Sequence, residues 1–154
     1  MRQALLSAFA GLPPLLHSDI PIHQSSYADY EGERVAAALV GRAWQEIDAD
    51  YLQTAYSGDR SAMLGFMSNK AFCYFLPSFL SIALEFERSE DVASAACAEI
   101  VRRGSGTRTT CHDAYSAIQR GVVRECLEHL KEQYVEGGFP TNPAGDALMA
   151  VGGW

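Results

Sequence analysis

Basic residues are scarce in this sequence. Twelve Lys and Arg face 19 Asp and Glu, for a formal charge of −7. The excess is local: between residues 29 and 59 there are seven acids and two bases, so that stretch alone carries −5. Such a surface repels phosphates, which argues against a nucleic-acid partner and for a basic protein. Long apolar runs are also missing. The uncharged run between Lys70 and Glu85 covers 14 residues, whereas a membrane-spanning helix needs about 20, so no membrane partner is expected. Strand-like alternation, internal repeats and low-complexity tracts are absent. There is no G-x-x-x-x-G-K-S/T phosphate loop and no twelve-residue calcium loop, so no cofactor is implied.

The 154 residues have 48% apolar and 20% charged content. A chain of this size buries a core without metal or disulfide staples, and the length fits a single domain over residues 1–154. The four cysteines, Cys73, Cys97, Cys111 and Cys126, are widely spaced. Cys73 and Cys97 fall in apolar helical patterns where cysteine acts as a small hydrophobe. The reading is four free, mostly buried thiols and a cytoplasmic protein. Arg2 and the Ala8-Phe9-Ala10 triplet leave a periplasmic form open as the alternative, but the apolar stretch before them is short for a signal peptide.

The apolar spacing predicts an all-α bundle of five to seven helices. Residues 2–10 fit a short amphipathic helix ending at Gly11. Pro13, Pro14 and Pro21 then impose an extended connector, pinned by Leu12, Leu15, Leu16, Ile20 and Ile22. A short hairpin between residues 12 and 28 is the alternative there. Asp29 is expected to cap a helix that weakens at Gly41, and Asp48 a second one running to Tyr56. Ser68-Asn69 opens the central helix. Phe72, Phe75, Leu76, Phe79, Ala83 and Phe86 keep its apolar face through Pro77. The proline either bends one helix or starts another at its first position. Asp91 is expected to cap a helix of small residues ending at Gly104. Thr110 with Asp113 is expected to start a long helix over residues 111–136, stopped by Gly137-Gly138. Pro140 and Pro143 read as a linker before a last turn from Asp146.

Trp44, the block Leu64, Phe66, Met67, Ser68, Phe72, Tyr74, Phe75, Leu76, Pro77, Phe79 and Leu80, the pair Ala147-Leu148 and Trp154 together form a pattern. It resembles a bacterial domain-of-unknown-function family of small helical proteins with an F-x-Y-F/Y-L-P-x-F/Y-L motif. Two positions depart from it: Met67 stands where Leu is usual, and Gly152-Gly153 stands where an aromatic precedes the final Trp. The resemblance implies a helical fold and no particular chemistry. Some small acidic proteins of this type are immunity proteins to secreted toxins.

Candidate chemistry is thin. Cys111-His112 and Cys126-x-x-His129 carry zinc-type ligands, but one straight helix would hold the two cysteines about 22 Å apart, so no metal is expected. A Cys–His hydrolase built from these residues is the enzymatic alternative. Gly104-Ser105-Gly106, flanked by Arg102, Arg103 and Arg108, offers a weak anion site through Arg103, Ser105 and Arg108. Glu46, Asp48 and Asp50 read as capping acids. The leading expectation is a non-enzymatic binding domain that meets a basic protein through Glu31, Glu33, Asp48, Asp50 and Asp59. Self-association through the apolar helix is a third possibility; the sequence does not fix the oligomeric state.

Overall fold

The computed structural model describes residues 1–21, 26–104 and 111–152, and the side chains of 26–29 are not part of that description. The described residues form no strand and seven α-helices: α1 (Arg2–Ala8), α2 (Ser26–Leu39), α3 (Ala49–Ala55), α4 (Asn69–Ala83), α5 (Phe86–Gly104), α6 (Ala117–Glu136) and α7 (Pro143–Ala150). Three 3-10 segments, His17–Asp19, Trp44–Glu46 and Arg60–Phe66, join them. α5 breaks at Ser89, whose backbone leaves the helical region (φ −150°, ψ 32°). Counted as two, it brings the total above the expected five to seven, within the same all-α class.

α4 is the axis of the bundle. The Ser68 hydroxyl accepts from Ala71 N (3.1 Å), as the sequence implies for an N-cap. Every residue from 71 to 80 is buried, so the helix keeps no spare apolar face for self-association. Pro77 lies inside one continuous helix. Lacking an N–H, it leaves the carbonyl of Cys73 without its intrahelical donor. The Tyr115 hydroxyl fills that gap, donating to Cys73 O at 2.6 Å in the interior. One residue on, the Ser78 hydroxyl donates to Trp44 O at 2.6 Å, and Trp44 Nε1 donates to Phe9 O at 3.0 Å. Phe9 packs edge-on against both Trp44 and Tyr115. α1, the Trp44 turn and the approach to α6 are thereby fastened to α4 around the proline.

The remaining helices wrap this axis. α5 lies along α4, α7 lies across α5 and α6, and α1 touches α6 and α4. The connector before α2 is pinned less widely than its leucines suggest. Ile20 is fully buried, whereas Leu16 is 71% exposed. Its backbone is held instead, by a bridge between Pro21 and Met67 and by Ser68 N donating to Ile20 O at 2.7 Å. Among the described residues, that isolated pairing is the nearest thing to the hairpin considered for this region; residues 22–25, Ile22 among them, lie outside them.

Several boundaries move for local reasons. α2 already runs from Ser26, so Asp29 lies within it rather than capping it; the helix stops at Leu39, before Gly41 takes φ +71°. α5 begins before Asp91, at Phe86. α6 begins at Ala117 rather than near residue 111. Ser116 and Gln119 form a reciprocal capping box there, Gln119 Oε1 accepting from Ser116 N at 2.8 Å. Pro143 is no linker: it is the first residue of α7, with Asn142 accepting from Gly145 N at 3.0 Å as the cap.

Candidate functional site

Four of the five acids singled out as partner-binding are on the surface, and each already has local work. Asp48 caps α3 through Tyr51 N at 2.7 Å, and the exposed Asp50, 86% accessible, sits in that helix's first turn. Asp59 caps the Arg60–Phe66 segment, accepting from Ser61 N and Oγ at 2.9 and 2.7 Å. These bonds from Ser61 hold its carboxyl below the usual carboxylate range. Glu33 faces His17 Nε2 at 3.4 Å. Glu31 is different. Its side chain is only 13% exposed, and it accepts from Arg34 Nη1 at 2.9 Å and from the Tyr56 hydroxyl at 3.0 Å. Arg34 in turn reaches Ser57 Oγ and packs over the Tyr30 and Tyr56 rings. Glu31 thus serves to tie α2 to the turn after α3.

Of the residues proposed for a weak anion site, Ser105 and Arg108 lie outside the described residues, and Arg103 is engaged in the interior. The Arg103 side chain is 5% exposed and all three of its guanidinium nitrogens are engaged. Nε donates to Glu99 (3.1 Å), Nη1 to Asn69 Oδ1 (2.8 Å), and Nη2 to the carbonyls of Leu64 and Met67 (both 2.9 Å). The Phe72 ring lies 4.3 Å below it. Burial pulls its pKa down, and Glu99 opposes that pull. The arginine bolts the Arg60–Phe66 segment to α5.

The cysteines depart from the all-thiol reading. Cys73 and Cys111 form a disulfide, while Cys97 and Cys126 are free and buried. Burial pushes the Cys97 and Cys126 thiols up to about 12, far from a reactive thiolate. Cys126 is fully buried but His129 points to solvent, so they do not share the face that a Cys–His pair requires. Cys111 is spent in the disulfide, and His112 pairs with Asp113 at 2.9 Å. Among the described residues, Cys111, His112, Cys126 and His129 therefore do not form a Cys–His pair. Among the described residues, no three His, Cys, Asp or Glu side chains are grouped to hold a metal ion.

One feature escaped the sequence reading: a cleft of about 690 Å³ where α4 passes into α5, closed on its far side by the end of α6. That volume lies in the usual range for ligand pockets. The break at Ser89 builds it. The Ser89 hydroxyl donates to Ile82 O (2.7 Å) and lies 2.8 Å from Glu85 O, holding the first turn of α5 back against α4. Phe86 and Phe139 line the cleft, their rings meeting edge to face with centroids 5.5 Å apart, and the buried Tyr134 backs both at 4.7 and 5.4 Å. Gly137 permits this, since a Cβ there would lie 2.6 Å from the Phe139 ring, and Gly138 turns the chain with φ +68°.

Around these rings stand four carboxylates, Glu85, Glu87, Glu90 and Glu136, with one guanidinium, Arg88, among the lining residues and a second, Arg2, facing Glu85 at 4.0 Å. Arg88 reaches out to Asp50 at 3.9 Å, so the acidic start of α3 adjoins the cleft. Aromatic rings flanked by carboxylates attract a cation both by charge and by the ring quadrupole. The sequence held a trace of this site in the acids between residues 85 and 91. Only the return of Phe139 across a helix terminus turns them into the rim of a cavity. Comparison with protein-family models, with curated proteins and with solved structures finds no match to this chain.

Proposed function

We propose that this chain is a non-enzymatic binding domain for a basic protein partner, with the cleft between α4, α5 and α6 seating lysine or arginine side chains of that partner. The observation that carries this reading is the composition of the cleft, four carboxylates and one guanidinium around the exposed ring of Phe139 and the edge of the buried Phe86. The neighbouring Asp50, and the exposed Asp48, Asp59 and Glu33, add a broader negative field that speeds encounter with a cationic surface. A toxin neutralised by an immunity protein is one partner such a surface suits, because inhibition requires only complementary coverage.

The test is binding of proteins from the native host by the wild-type chain and by a Glu87→Lys/Glu90→Lys variant of unchanged melting temperature. The partner should have a basic contact surface and bind the variant at least about tenfold more weakly, with a flatter salt dependence. Equal affinity of the two chains for the captured partner, at every salt concentration, would remove the cleft from the interface.

A further inference from the structure

We infer that Cys73–Cys111 is a permanent staple, made in an oxidising compartment as the chain folds and shielded from thiol exchange once it has. This replaces the cytoplasmic expectation with an exported one, on chemistry separate from the cleft.

The bond joins the middle of α4 to the segment just before α6, with Cα atoms 5.5 Å apart, and encloses all of α5 in its loop. Cys73 is 6% exposed and Cys111 1%. Exchange requires a thiolate to reach one of the two sulfurs, and the folded chain covers both. The internal competitors are equally quiet, since Cys97 and Cys126 are fully buried and burial keeps their thiols protonated. Cys73 is also held from its backbone side by the Tyr115 hydroxyl, four residues beyond Cys111. The same short segment therefore grips one residue twice, at the carbonyl that Pro77 leaves open and at the sulfur. Persistent disulfides of this kind belong to oxidising compartments. In forming, the two thiols give up two protons and two electrons; a disulfide-carrying oxidant accepts them and is reduced to its dithiol.

Thiol counting on protein taken from its native host under acid quench tests this. Alkylation in urea without reductant should modify Cys97 and Cys126 only; modification of all four would overturn the inference. Alkylation of the folded protein should modify none, and dithiothreitol should open the bond only when urea is added. Rapid reduction of the folded protein would refute the shielding. A Cys73→Ala/Cys111→Ala variant should melt about 10 °C lower, from the entropy of a 38-residue loop. An unchanged melting temperature would refute the staple. Should that variant fail to fold, the alkylation pattern still decides.

Discussion

Replacing Tyr115 by Phe removes one oxygen and leaves the carbonyl of Cys73 without a donor. In most helices that carbonyl would be satisfied by the N–H four residues on, but here that residue is Pro77. The hydroxyl is fully buried, and burial alone pushes its pKa well above the usual tyrosine value, so it acts as a neutral donor across the accessible pH range. Stranding a buried acceptor costs about 1–3 kcal/mol; about 2 kcal/mol lowers the melting temperature of a domain this size by about 4–8 °C. The missing amide at Pro77 has a sharper consequence than this loss. In a Pro77→Ala background the restored N–H of residue 77 can donate to Cys73 O, so Tyr115→Phe should then cost less than about 1 kcal/mol. Urea unfolding of the four proteins, without reductant, measures the coupling, which should exceed about 1 kcal/mol. An equal cost of Tyr115→Phe in both backgrounds would show that the tyrosine does not stand in for the missing amide.

Two further predictions concern the buried arginine. Arg103→Met should destabilise the fold by about 1–3 kcal/mol in urea unfolding, because it takes the side-chain donor from the interior carbonyls of Leu64 and Met67 and leaves Glu99 with Arg102 as its remaining arginine partner; Arg103→Lys should recover little of this, since one ammonium cannot replace the fork. Burial raises the Glu99 pKa, but hydrogen bonds from Arg102 and Arg103 outweigh it and hold the carboxyl below its ordinary value. A depressed carboxylate pKa means stability that is fully present above the unfolded-state value near 4.5 and is lost as pH falls through the folded-state value. Melting curves from pH 6 down to pH 2 should therefore show a steeper acid loss in the wild type than in Glu99→Gln.

What the sequence determined by itself is whatever a helix settles within one or two turns. The spacing of Phe72, Phe75, Leu76 and Phe79 marked α4 as the buried axis, Ser68 and Asp48 marked where helices begin, and Gly41 and Gly137-Gly138 marked where they end. Each of those signals acts between residues at most four apart, so it survives in any tertiary setting. The choice of start for α6 was local too, but two caps competed, and residues 111–115 were needed elsewhere. What only the tertiary structure decided is every partnership across the chain: Cys73 with Cys111, Tyr115 with the carbonyl under Pro77, Arg103 with the Leu64 and Met67 carbonyls, and Phe139 folded over Phe86 and Tyr134. Such pairs span from 5 to 53 residues, and no local preference encodes which distant groups meet. They are fixed by how the helices cross, and burial then demands that each polar atom at a crossing find its partner.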